Sequence, residues 1–171
     1  VERMVAHYAD NRAVVAWQVD NELEAYFCFC ERCNGKFREW LQRRYSSIDE
    51  LNRAYGNVVW SGEYTSWSQI QPPYGDYPHA WLNPALMLDY YRFASDNIIS
   101  FCNMQAELIR KNCPGRPVTT NVWFCEHMPD FYREFAELDF ISYDNYPPTR
   151  LPADTEEPYT HAFHLDMMRG V

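Results

Sequence analysis

Ala13-Val14-Val15-Ala16-Trp17-Gln18-Val19, followed directly by Asp20-Asn21-Glu22, is the stretch on which the fold turns. A nearly unbroken apolar run of this length is expected of a strand buried on both faces in a parallel sheet, because a half-exposed strand alternates. The three polar residues fall where that strand should end. In parallel α/β folds the C-terminal ends of the strands are where functional side chains collect. The stretch therefore predicts a buried strand that delivers an amide and two carboxyls to a site.

Two further short runs repeat the arrangement. Pro117-Val118-Thr119-Thr120-Asn121 ends on an amide, and Leu138 to Tyr143 runs into Asp144-Asn145-Tyr146. Helical signals separate the strands. Phe37, Trp40 and Leu41 recur at helical spacing up to Tyr45, and Ser47-Ile48-Asp49-Glu50 has the form of a capping box that opens a short helix closed by Gly56. Asn83-Pro84 opens a long apolar stripe from Met87 to Ile109, which Cys113-Pro114-Gly115 stops. A helix around Asp130 to Glu137 leads into the third strand, and an amphipathic segment runs from His161 to Met168. The stretch from Asn57 to Leu82 is rich in Trp, Tyr, Pro and Gly without periodicity, as in a long functional loop. Strand and helix alternate as in a parallel α/β fold. Only three strands are legible, whereas a closed (β/α)₈ barrel takes roughly 200 residues or more, so a barrel would be represented here in part.

The composition narrows the partners. Among 171 residues, 15 Lys and Arg stand against 24 Asp and Glu, a net charge of −9 with no basic run. Such a chain has nothing to neutralise a phosphate backbone or an anionic leaflet, which argues against nucleic-acid and membrane-surface partners. No apolar stretch approaches the roughly 20 residues that span a bilayer. The sequence opens at Val1 with no basic and apolar leader, so no targeting segment is visible. Aromatic residues reach 17 %; core packing accounts for most such rings, and rings of this kind also stack on the apolar faces of sugars.

Two clusters carry chemistry. A glutamate at the mouth of a barrel, such as Glu22 beside Asn21, can have its pKa raised by desolvation until it donates a proton near neutral pH. Glycoside hydrolysis needs that acid together with a second carboxylate about 5 Å away when configuration is retained. The same dipeptide also fits an ordinary helix N-cap. Cys28, Cys30 and Cys33 lie within six residues, and three thiolates so spaced can converge on one Zn²⁺, whose structural sites take four closed ligands. A fourth could come from Cys102, Cys113, Cys125, a histidine such as His7, or elsewhere, and plain packing under a loop is the other reading.

In combination, Val19-Asp20-Asn21-Glu22, Cys28-x-Cys30-x-x-Cys33, Phe37-x-x-Trp40-Leu41, Leu51-Asn52-x-Ala54, Trp60-Ser61, Asn83-Pro84 to Ser95-Asp96, Val118-Thr119-Thr120-Asn121 and Asp144-Asn145-Tyr146-Pro147 resemble the barrel domain of family 42 glycoside hydrolases, the bacterial β-galactosidases. The resemblance runs through nearly the whole chain. It implies an α/β fold, residues 1–171 being one incomplete catalytic domain: a partial (β/α)₈ TIM barrel of about strands 4 to 6 with their helices and a zinc-cysteine loop. By the same resemblance Glu22 is the general acid/base at the end of strand 4, Asn21 bonds the sugar 2-hydroxyl, Trp60 lines the galactose subsite, and Tyr146 sits beside the nucleophile. Cys28, Cys30 and Cys33 bind structural Zn²⁺, and no organic cofactor is implied. The substrate is a β-galactoside or galacto-oligosaccharide, the location cytoplasmic and the assembly a trimer.

Two departures accompany these expectations. In the family the nucleophilic glutamate ends strand 7, shortly after a segment like Met168-Arg169-Gly170-Val171, so the resemblance implies a chain without its nucleophile and inactive alone. The family's fourth zinc cysteine precedes strand 4, where Val1 to Val19 has none. A zinc-stabilised carbohydrate-binding or interaction module without catalysis is the alternative, and it leaves Asn21-Glu22 at a strand end unexplained.

Overall fold

The computed structural model describes residues 1–73, 83–146 and 158–171. The end of the expected loop up to Leu82 and the prolines from Pro147 to Pro152 lie outside them. The elements are α1 (Glu2–Tyr8), β1 (Trp17–Gln18), α2 (Glu31–Arg44), α3 (Ile48–Tyr55), α4 (Pro84–Asn112), β2 (Val118–Thr119), β3 (Asn121–Val122), α5 (Phe131–Phe135), β4 (Ser142–Tyr143) and α6 (Pro158–Gly170). Single 3₁₀ turns occupy Val59–Ser61 and Trp67–Gln69. Among the described residues no helix is long and apolar enough to cross a membrane.

The chain forms two compact units, residues 1–25 with 95–171, and residues 26–94. The first holds the strands. β1 pairs in parallel with β2, Trp17 opposite Val118 and Gln18 opposite Thr119; β3 pairs in parallel with β4, Asn121 opposite Ser142 and Val122 opposite Tyr143. Residues 118–122 are thus one extended stretch that bonds to β1 first and to β4 next. Hydroxyls secure both flanks: Thr120 donates to the Val19 carbonyl at 2.7 Å and Thr119 to the Phe140 carbonyl at 2.6 Å. Behind them, Trp17, Val19 and Val118 pack on Val5 of α1 and on Cys102, Ala106 and Ile109 of α4.

The ladders are shorter than the apolar runs predict. Residues 11–14 close a turn, with the Val14 N–H donating to the Asn11 carbonyl and Ala13 N–H to the Asn11 side chain. Val15 is consequently 77 % exposed, so only the last part of Ala13–Val19 behaves as the buried strand expected. Leu138–Tyr143 likewise narrows to β4, although Asp139 still exchanges bonds with Val118 through its N–H and its carboxylate.

The second unit is helical. Phe37 and Leu41 of α2, Leu51 and Tyr55 of α3, and Leu86, Tyr90 and Phe93 of α4 form its core with Ile70, each fully buried large side chain contributing about 1.5–3 kcal/mol. Ser47 caps α3 by accepting from the Glu50 N–H, and Gly56 closes it at φ 64°, a left-handed turn that glycine adopts without a Cβ penalty. The return arm of the capping box lands one residue early, on Ser46. The Asn83 side chain accepts from Ala85 N–H at the start of α4. Asp89, 1 % exposed, accepts from the Tyr45 and Tyr55 hydroxyls and pairs with Arg44 and Arg92, as a buried carboxylate must.

Candidate active site

The first unit gathers polar groups at the C-terminal ends of its parallel strands. After β1 the chain turns sharply, with Asp20 and Glu22 at φ 50° and 48°. Gln18 donates from its amide to the Asp20 carbonyl at 2.9 Å, and Asp20 caps the N–H of Asn21 at 3.0 Å. This hairpin-tight path carries Glu22 back over the strand ends, half-buried.

The centre of the cluster is Asn121, 5 % exposed, the first residue of β3. Its Oδ1 accepts from the Glu22 backbone N–H at 3.0 Å and from the Gln18 amide at 2.8 Å. Its Nδ2 donates to Asp144 Oδ2 at 2.8 Å, just past β4, and to Asn21 Oδ1 at 3.2 Å. One side chain therefore ties together all three strand ends. Asn21 Nδ2 in turn donates to Glu22 Oε2 at 3.2 Å.

The Glu22 carboxyl stands in hydrogen-bonding contact with that of Asp144, and this contact, followed by desolvation, raises its pKa above the ordinary glutamate value; the Asn21 amide pulls the other way. Glu22 is thus disposed to keep a proton that an isolated glutamate would have lost. Tyr146, 74 % exposed, reaches Asp144 Oδ2 with its hydroxyl at 3.5 Å, and the Asp144 charge raises its phenol pKa. On the other flank the Trp123 indole N–H donates to Glu24 at 3.0 Å.

Of the residues expected from the sequence, Glu22, Asn21 and Tyr146 come together in this cluster. Trp60 falls in the 3₁₀ turn Val59–Ser61 of the second unit, and its side chain lies outside the description. An asparagine ladder joins residues on either side of that turn: Asn52 exchanges two bonds with Tyr64, Asn57 donates to Asn52, and Asn83 donates to Asn57. Sequence reasoning did not assign roles to Asn121, Asp144, Gln18 or Trp123. The signal for the first two was present, since both are polar residues at the ends of parallel strands.

In the second unit the sulfurs of Cys28, Cys30 and Cys33 all lie within 4.8 Å of one another, Cys28 and Cys30 at 3.5 Å. Tetrahedral zinc with Zn–S of about 2.3 Å sets sulfurs roughly 3.8 Å apart, so the three donors fit one ion. Cys30, which caps α2, is brought down to about 7 by the Cys33 backbone N–H and the Cys28 thiol, while burial pushes Cys33 up to about 12. Cys102 and Cys113 are instead packed in the apolar core of the first unit.

The family model of glycoside hydrolase family 42, β-galactosidase, matches residues 1–171. A β-galactosidase of Clostridium cellulovorans is 53 % identical over the whole chain, which covers 26 % of that protein, and one of Thermus thermophilus is 37 % identical, with 28 % covered. The crystal structure of β-galactosidase from Bacillus circulans sp. alkalophilus superposes with a TM-score of 0.85 at 31 % identity, over 99 % of this chain and 25 % of that one. The chain thus spans about a quarter of the length of the curated relatives it matches. It belongs to glycoside hydrolase family 42, the β-galactosidases.

Proposed function

We propose that these residues are part of the catalytic (β/α)₈ barrel of a retaining β-galactosidase, with β1, the 118–122 stretch and β4 as about strands 4, 5 and 6, and with Glu22 as the general acid/base. The observation that carries the reading is the Glu22 carboxyl itself: it sits at the end of a parallel strand, its backbone is fixed by Asn121, and its pKa is raised by contact with Asp144. Glu22 protonates the glycosidic oxygen as the bond to the galactosyl carbon breaks; then, as a carboxylate, it takes the proton of the water that releases the sugar. Asn21, whose Nδ2 donates to Glu22 and whose Oδ1 accepts from Asn121, bonds the sugar 2-hydroxyl; Tyr146 sits beside the nucleophile, and Trp60 lines the galactose subsite. Cys28, Cys30 and Cys33 hold a structural Zn²⁺, which supplies cross-linking of the loop before α2 and no chemistry on the substrate.

The test is the leaving-group dependence of Glu22→Gln in the full-length protein. Hydrolysis of lactose, whose leaving group needs protonation, should fall by at least about 10²-fold, the lower end of general acid catalysis. Formation of the glycosyl-enzyme from dinitrophenyl β-galactoside, which needs little protonation, should be largely spared. Equal loss on both substrates contradicts the assignment.

A further inference from the structure

Resting on the reading of Glu22 as the acid/base, the cluster raises the question of what Asp144 is for. Two carboxyls in direct contact cannot both be ionised without a proton between them. Retaining hydrolysis requires its two carboxylates about 5 Å apart, with the anomeric carbon between them, and carboxyls in hydrogen-bonding contact leave no such room. Asp144 is therefore not the attacking group, although it is the carboxyl that meets Glu22.

The donors decide which member of the pair carries the proton. Asp144 Oδ2 accepts from Asn121 Nδ2 at 2.8 Å and, more distantly, from the Tyr146 hydroxyl at 3.5 Å. Asn121 is buried and cannot turn away, because its Oδ1 is engaged by Gln18 and by the Glu22 N–H. Glu22 has one amide donor, Asn21, at the longer distance of 3.2 Å. Hydrogen bonds to a carboxylate favour its charged form, so Asp144 is the acceptor and Glu22 the O–H donor. The surroundings act in the same sense. Among the described residues, the titratable groups facing Glu22 are Glu24 of its own loop, Cys125 beyond β3, and Asp144 and Tyr146 beyond β4; none of them carries positive charge.

We propose that Asp144, gripped by Asn121, is a positioning residue of the reaction: its carboxylate accepts the proton-bearing oxygen of Glu22 and so orients the acid across the strand ends. The same contact that aims Glu22 also holds its proton in place until a leaving group arrives, and the raised pKa of Glu22 agrees with it.

The experiment is the pH profile of kcat/KM for nitrophenyl β-galactoside in the full-length protein, whose basic limb reports the acid of the free enzyme. In Asp144→Asn, which keeps the shape but removes the acceptor charge, and in Asp144→Ser, which guards against misfolding of the first variant, the basic limb should move to lower pH while activity on the acidic side is better retained. A uniform loss at every pH with the limb unmoved in both variants makes Asp144 merely structural and overturns the proposal. Glu22→Gln separates the two claims: the basic limb should vanish there. If the limb persists, Glu22 is not the acid and the functional reading fails. If it vanishes in Glu22→Gln but does not move in either Asp144 variant, the assignment of Asp144 alone falls.

Discussion

Asp20 and Glu22 both hold left-handed backbone, at φ 50° and 48°, which costs a residue with a Cβ roughly 1–2 kcal/mol. The turn persists because Gln18, Asp20 and Asn121 bond its backbone at successive points, and strain of this sort collects where a side chain must be aimed. Asn21 and Glu22 were legible in the sequence because a buried strand that ends on polar residues is a local signal. Their partners were not, because Asn121 lies about a hundred positions away and nothing local says which amide reaches Glu22. A second buried carboxyl was illegible for the same reason. Glu134 of α5 is fully buried, neither of its oxygens has a hydrogen-bond partner among the described residues, and burial raises it from 4.5 to about 7. A folded-state pKa raised above the unfolded one means that the native protein binds the extra proton, so the contribution of Glu134 to stability should be greatest below pH 4.5, fall as the pH rises to about 7, and then level off. Glu134→Gln should flatten that slope and recover up to about 3 kcal/mol at pH 8, from 1.36 kcal/mol per unit. Denaturant melts at pH 5 and pH 8 measure it, and an unchanged slope contradicts the burial argument.

The elements divide by how local their causes are. α3 was readable to within its caps, since Ser47 and Gly56 act within the helix they bound. α2 and α4 followed from apolar spacing, and Phe37 and Leu41 are indeed at the centre of their core. α1 carries one buried residue, Val5, too little apolar pattern to announce a helix. The strands were overextended because an apolar run cannot reveal where its hydrogen-bond partner ends: Val15 matches Val19 in composition but only Val19 bonds across, to Thr119. In α6, His164 stacks on Phe124 at 4.0 Å and pairs with the Tyr143 hydroxyl at 2.9 Å, a link between distant elements that apolar spacing does not announce. The cysteine loop gives a prediction at this scale. Full-length protein should carry about one zinc per chain, and Cys30→Ser should lose it and lower Tm by several degrees, as expected when a structural ion is removed. Turnover per folded molecule should be retained well below Tm. Elemental analysis with thermal melts checks this; a zinc-free protein with the same Tm reduces the cluster to packing, and chelator-sensitive activity without loss of folding points to a catalytic metal.

At the scale of the molecule, two compact units share α4, and the polar cluster is built wholly within the unit that contains the strands. What made the class legible was the coincidence of several motifs in one order, a property of the whole sequence that no single residue carries. The family match over residues 1–171 and the superposition on a solved β-galactosidase agree with that reading. The central claim is that Glu22 acts first as acid and then as base in a double displacement. The most direct measurement is the product formed by Glu22→Ala full-length protein from dinitrophenyl β-galactoside with sodium azide present. With the base gone, water should attack the glycosyl-enzyme slowly, and azide, which needs no deprotonation, should replace it. The account predicts turnover that rises severalfold with azide and yields β-galactosyl azide, identified by its anomeric proton coupling. Absence of any acceleration, or formation of the α-azide, would contradict it.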